Sequence, residues 1–330
     1  MSVIGAIIGD IVGSRFEFNN YRKKDFEFFS DDCYFTDDTV MTLAVAKAIN
    51  ETEDIELLKK EATTIMQKIG RQYPNCGYGG RFYNWMFSDK PYPYNSFGNG
   101  SAMRVAFCGE IASTLEQAKR LSYEVTRVTH NHYEGIKGAE ATAVCIFLAK
   151  TGKSKKEIGE YVKQHYYDLD FTIDEIRPTY KFNETCQQTV PQAIQAFLES
   201  ESFEDAIRIA VSVGGDSDTL AAITGSIAGS YYGVSEEFED LAMSYLDDNL
   251  QDIYISLYES GSALNKDNIF NKPYVKKLPY RFTCDMPCEV VGYREVTKKE
   301  EEEFKKNKEI IDKEFNLDKI EFDENFDNED

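Results

Sequence analysis

The sequence predicts an all-α protein, and three observations carry that expectation. Apolar residues recur at a spacing near 3.6 in most stretches up to about residue 260, the period of a helix with one buried face. Strand-like alternation is scarce until about residue 281. Two apolar stretches, 2–13 and 219–232, are rich in small residues, which suits helices packed tightly against another backbone.

Taken in order, residues 2–13 read as a buried helix carrying Gly5, Gly9 and Gly13. Asp10 is unusual inside such a stretch; it either caps a neighbouring helix or supports a site from behind. Glu17 follows in a loop between Phe16 and Phe18, where a solvated carboxylate is the plain expectation. Residues 38–50 and 54–72 are helical by spacing, 73–82 is turn-rich, and a short helix surrounds Trp85. In the stretch from Phe97 to Val105, glycines free N–H groups at the head of a helix, as a phosphate cradle does, but no Gly-Lys-Ser/Thr follows. Further helices are expected at 115–128, 136–150, 154–167, 173–177, 186–199, 203–213, 219–232, 236–247 and 250–260. His130 and His132 lie two apart without soft-ligand partners, so His130 reads as a hydrogen-bonding loop residue and not a zinc ligand. Residues 280–284 and 289–293 alternate as a small hairpin would, and 298–314 is helical. From Lys299 onward 6 Lys stand against 14 Asp and Glu, which marks an acidic tail. The expected organisation is a main domain, 1–280, and an extension, 281–330.

The 330 residues carry a net charge of −21, which argues against a nucleic-acid or anionic-membrane surface. Seven scattered Cys, an odd number, read as reduced thiols of a cytoplasmic protein. The apolar N-terminus is too short to span a membrane and lacks a basic leader. A monomer is expected.

Two short acidic clusters dominate the chemistry. One is Phe35-Thr36-Asp37-Asp38-Thr39; the other is Gly214-Gly215-Asp216-Ser217-Asp218-Thr219. Each runs directly into an apolar, helix-like stretch. A single cluster of this kind is most simply a helix N-cap. Two matching ones are harder to explain by capping. Four carboxylates converging in one core repel unless cations sit between them, and hard oxygen ligands suit Mg²⁺ or Mn²⁺ over Zn²⁺. The residues alone therefore point to a two-metal, oxygen-ligand site.

These clusters occur in order with Ile4-Gly5-Ala6-Ile7-Ile8-Gly9-Asp10, Gly98-Asn99-Gly100-Ser101-Ala102-Met103-Arg104 and Thr129-His130. The set resembles the ADP-ribosylglycohydrolases over roughly residues 3–260; the stretch after about 280 has no counterpart. The resemblance implies an orthogonal helical bundle around a cleft with two Mg²⁺ or Mn²⁺ ions. It implies Thr36, Asp37, Asp38, Asp216, Asp218 and Thr219 as ligands, with Asp218 bridging both ions. It makes Gly98, Asn99, Gly100, Ser101 and Ala102 a diphosphate-holding loop and His130 a contact to ADP-ribose. Glu17 matches a mobile-loop glutamate of the serine-directed branch. The implied reaction is hydrolysis at the anomeric carbon of the distal ribose, with Glu17, Asp37 or Asp38 activating water and an ADP-ribosylated protein or small conjugate as substrate. The alternatives are a catalytically silent ADP-ribose-binding module and a phosphohydrolase acting on the diphosphate.

Overall fold

The computed structural model describes residues 1–259. Helix α1 (Ser2–Ser14) is buried along its whole length. Gly5, Gly9 and Gly13 recur every four residues and so share one face. That face lies on α12 (Ser217–Tyr232). A Cβ on Gly9 would run into the carbonyl of Ala221, and one on Gly13 would stand 2.6 Å from Cα of Asp218. The small residues at these positions let the two backbones touch, as the sequence pattern led us to expect. Gly9→Val should therefore lower unfolding free energy by about 3 kcal/mol in a denaturant titration, because backbone atoms must move to admit the side chain.

Around this central pair stand α2 (Asp37–Glu51), α5 (Ala106–Ile111), α7 (Tyr133–Lys150), α10 (Cys186–Glu199) and α11 (Phe203–Val213). Helices α3 (Ile55–Gly70) and α14 (Asp248–Tyr258) pack on α2, with α4 (Gly80–Phe87) beyond α3. Helices α6 (Leu115–Thr126) and α8 (Lys155–His165) pack on α7, α9 (Ile173–Ile176) on α10, and α13 (Glu236–Ser244) on α1. Three of the outer helices start on reciprocal capping boxes: Thr114 with Gln117, Ser154 with Glu157, and Thr172 with Glu175.

The fold is the all-α bundle expected. Among the described residues there is no strand, only an isolated bridge between Gly98 and Thr185. Some helix ends differ from the sequence-based boundaries. Helix α7 begins at Tyr133, not 136, because the His132 ring accepts the Glu134 N–H at 3.1 Å. Helix α14 begins at Asp248, not 250, because the Asp247 carboxylate caps the Leu250 N–H at 3.0 Å. The predicted hairpin at 280–293, the helix at 298–314 and the acidic tail lie outside the described residues. No helix of the described residues is long and apolar enough to cross a membrane.

Candidate active site

The C-terminal half of α1 organises the site. Its fully buried Asp10 accepts four hydrogen bonds from the start of α2: the Thr36 N–H (2.9 Å) and hydroxyl (2.7 Å), and the Thr39 N–H (3.0 Å) and hydroxyl. Of the two sequence readings of Asp10, capping a neighbouring helix is what these bonds describe. Thr36, the N-cap of α2, spends its hydroxyl proton on Asp10 and one lone pair on the Asp38 N–H at 3.2 Å. A hydroxyl oxygen has two lone pairs, so one is left. Asp37 is half-buried, and its N–H donates to the Cys76 carbonyl at 2.7 Å. Asp38 is buried; its Oδ2 accepts from the Thr219 hydroxyl at 3.2 Å, and its Oδ1 has no hydrogen-bond partner.

The second cluster arrives from the other side, on α12. Gly214 and Gly215 both hold positive φ, +79° and +73°, where other residues are strained. This turn sets Asp216 at the N-cap of α12, and Asp218 and Thr219 in its first turn. Gly13 admits the Asp218 backbone against α1, so the starts of α2 and α12 meet over the end of α1. The 181-residue-distant bond between Thr219 and Asp38 ties the two clusters directly. Glu17, on the turn just after α1, closes the group: its carboxylate and those of Asp216 and Asp218 place ligand atoms within 4.8 Å of one another.

Burial raises the pKa of Asp37, Asp38 and Asp218 well above the ordinary carboxylate value, and neighbouring carboxylates push each further. Asp216 is raised chiefly by burial. Glu17 is pushed up to about 7 by burial, then by Asp216, Asp10 and Glu184. No Lys or Arg forms an ion pair with these acids among the described residues. Buried carboxylates without a counter-charge are strongly disfavoured. Clustered hard oxygens, the orphaned Asp38 Oδ1 and the spare lone pair of Thr36 fit divalent cations such as Mg²⁺ or Mn²⁺.

The adjoining wall is the Gly98–Ala102 loop. Its side chains divide. Asn99 turns toward the acids and donates to Asp216 Oδ2 at 2.6 Å and to Thr189 at 3.1 Å. Ser101 and Ala102 are fully buried behind the loop, where the Ser101 hydroxyl reaches the carbonyls of Gly98 and Gly135. The N–H groups of Gly98, Asn99, Ser101 and Ala102 are engaged within the protein, so only the Gly100 N–H is left for a ligand. His130 lies under this loop, its Nε2 3.7 Å from the position a Gly100 Cβ would take. Arg104 donates to the Thr129 hydroxyl at 2.7 Å, and that hydroxyl also shares a hydrogen bond of 2.7 Å with His130 Nδ1. Burial and the charges of Arg104 and Arg81 hold the His130 pKa well below the usual histidine value, so the ring is neutral.

Glu17, Thr36, Asp37, Asp38, Asp216, Asp218 and Thr219 thus converge, with Gly98, Gly100 and His130 on the adjoining wall. The sequence reading missed one contributor and named another by its loop alone. The Asn99 amide, expected only as part of a loop, holds Asp216. Glu184, in a polar stretch with no helical period, adds a carboxylate that is raised by burial and by Asp216 and that in turn raises Glu17. No one-dimensional signal marks either.

The ADP-ribosylglycohydrolase family model matches residues 1–257. ADP-ribosylhydrolase ARH3 of Homo sapiens is 26% identical over 316 residues, covering 70% of this chain and 84% of that protein. ADP-ribosylarginine hydrolase Tri1 of Pseudomonas putida is 25% identical over 279 residues, covering 71% of this chain and 70% of the relative. ADP-ribosyl-[dinitrogen reductase] glycohydrolase of Rhodospirillum rubrum is 28% identical over 221 residues, covering 61% and 70%. A solved structure titled ADP-ribosylglycohydrolase-related protein complex superposes with a TM-score of 0.57 at 21% identity, over 78% of this chain and 95% of that one, and shares the fold.

Proposed function

Because the chain belongs to the ADP-ribosylglycohydrolase family, we propose that its converging acids hold two divalent cations and cut the bond between ADP-ribose and a serine oxygen. The enzyme is a glycosidase-type hydrolase that releases ADP-ribose. One observation carries the site assignment: two acidic clusters and Glu17 meet at the end of α1, and among the described residues no Lys or Arg forms an ion pair with them.

Thr36, Asp37 and Asp38 would hold the ions from one side, and Asp216, Asp218 and Thr219 from the other. When bound, Mg²⁺ or Mn²⁺ supplies positive charge that orients the ribose hydroxyls and makes water more acidic. Asp10 fixes the start of α2, and Asn99 fixes Asp216, so these oxygens do not have to reorganise during reaction. The Gly100 N–H and the His130 ring beneath it would contact the oxygens of ADP-ribose. Ser101 and Ala102 act by shaping the loop from behind. The carboxylates favour positive charge at the anomeric carbon as its bond to the acceptor breaks.

Glu17 takes a proton from the attacking water and returns one to the departing oxygen. A serine oxygen leaves as an alkoxide and needs that proton, whereas a protonated guanidinium leaves as neutral guanidine without help. This difference supports the serine linkage. An arginine N-glycosidic bond is the second reading, favoured by the likeness to an ADP-ribosylarginine hydrolase.

The deciding experiment offers serine-linked and arginine-linked ADP-ribosylated peptides with Mg²⁺, Mn²⁺ or EDTA. Metal-dependent release of free ADP-ribose from the serine peptide is expected. Release from the arginine peptide alone would overturn the linkage, and AMP with ribose phosphate would overturn glycosidic cleavage. Glu17→Gln should lower kcat by about 10²-fold or more, in the range of a lost general acid–base group, while ADP-ribose affinity stays near wild type by calorimetry. We further propose that 281–330 is dispensable: deletion of residues 299–330 should leave hydrolysis intact.

A further inference from the structure

Glu17 sits on a short segment that carries no regular structure of its own beyond turns. Its place beside Asp216 must be imposed from outside, and two residues a few positions on do this. Asn20 adopts a left-handed backbone, φ +48°, which asparagine tolerates better than most residues. Its side-chain oxygen accepts the N–H of Gly215 at 3.0 Å, the residue directly before Asp216. Arg22 then grips the same region. One guanidinium nitrogen donates to the Val213 carbonyl at 2.9 Å and to the Arg177 carbonyl. The other donates to the Tyr180 carbonyl and, at 3.3 Å, to the Asn20 oxygen.

Val213 is the last residue of α11, where carbonyls lack helical partners and a cation is favoured. Arg22 is therefore spent on protein carbonyls and is not a free cation waiting for a diphosphate. Its contacts unite three strands of chain: the Glu17 turn, the Gly214–Gly215 turn that aims Asp216, and residues 177–180 leading to Glu184. Phe18 adds a stacked contact with Phe182, ring centroids 6.1 Å apart, between the same segments.

We infer that Asn20 and Arg22 are positioning residues that latch the Glu17 turn to the Gly214–Asp216 turn and so fix the distance from Glu17 to the acids of α12. The inference deepens the proposed function and rests on its reading of Glu17. A small misplacement of a proton-transferring group is enough to lose rate without losing substrate affinity.

The test compares four variants of the full chain on serine-linked ADP-ribosylated peptide with Mg²⁺. Asn20→Gly keeps the positive φ and removes the acceptor; it should lower kcat about tenfold with KM within about twofold. Asn20→Asp keeps the acceptor, with Arg22 as its counter-ion, and should stay within about twofold of wild type. Arg22→Lys keeps the charge but cannot fork between Val213 and Tyr180, and should match Asn20→Gly. In a Glu17→Gln background, adding Asn20→Gly should change kcat by less than about twofold, because the latch acts through Glu17. Wild-type kcat in Asn20→Gly, or a loss undiminished in the Glu17→Gln background, overturns the proposal. Amide exchange at Gly215 reads the latch without turnover. Faster exchange in Asn20→Gly supports it, and unchanged exchange overturns it. A wild type that releases ADP-ribose from neither linkage overturns the proposed function, and the latch then stands or falls on the Gly215 amide.

Discussion

Asp218→Asn is expected to lower kcat/KM for ADP-ribose release by about 10³-fold or more, equivalent to about 4 kcal/mol of transition-state stabilisation. Asp218 is buried and faces Asp216, Asp38 and Glu17, which makes it the acid that the proposed two-ion site depends on most. An amide of the same shape keeps the packing against α1 and removes the charge that would hold the proposed ions. The same substitution should leave the metal-free protein as stable as wild type or more so, because one buried like charge disappears. Opposite signs in the two measurements separate a ligand from a structural acid. Mn²⁺ titration calorimetry of the variant should show at least one site lost. Full activity with unaltered Mn²⁺ binding would remove Asp218 from the site.

Asp10→Asn gives a contrast. Asp10 is also a buried acid beside the cluster, yet all its described bonds run to Thr36 and Thr39 of α2. Its replacement should act through stability, since the single oxygen of an amide has two lone pairs and cannot accept the four bonds that the carboxylate accepts. The sequence set Asp218 within an acidic cluster and left Asp10 between two readings. The direction of its bonds, toward the start of α2, is what assigns Asp10.

The parts legible in one dimension were those encoded by local pattern. The glycine stripe of α1 announced a close backbone approach, and the Thr-Asp-Asp-Thr and Gly-Gly-Asp-Ser-Asp-Thr runs announced helix starts rich in oxygen. Burial and long-range pairing were not legible. Gly98 to Ala102 reads as one loop, yet Asn99 turns to Asp216, Ser101 and Ala102 turn inward, and one N–H remains for a ligand. Glu17 had no periodicity to mark it. Its neighbours Phe16 and Phe18 look alike in sequence, but Phe16 is buried and Phe18 is 78% exposed. Asn20 and Arg22 carried no signal, because a latch is defined by what it reaches.

Removal of divalent metal should destabilise the protein, and the loss should grow with pH. In the metal-free fold the pKa values of Asp37, Asp38, Asp216 and Asp218 lie above those of the unfolded chain, and that of Glu17 lies at about 7. The folded state therefore binds more protons than the unfolded state across this interval. Stability of the metal-free protein is fullest below the ordinary carboxylate range and falls as pH rises through the raised values. Metal ions require the deprotonated acids, so their stabilisation grows over the same window. At a free metal concentration of about 100 times Kd, binding contributes about 2.7 kcal/mol. For a domain of this size that raises Tm by roughly 5–10 °C. Thermal unfolding with EDTA, Mg²⁺ or Mn²⁺ at about pH 5 and about pH 8 checks both parts. The metal-dependent rise in Tm should be small at the lower pH and large at the higher one, while the EDTA curve falls between them. Equal Tm with and without metal at the higher pH would mean that the acids find their counter-charge elsewhere, and the two-ion reading would fail with it. A rise of the same size at both pH values would place the ions on surface carboxylates, whose pKa values are already low, and not on the buried cluster at the end of α1.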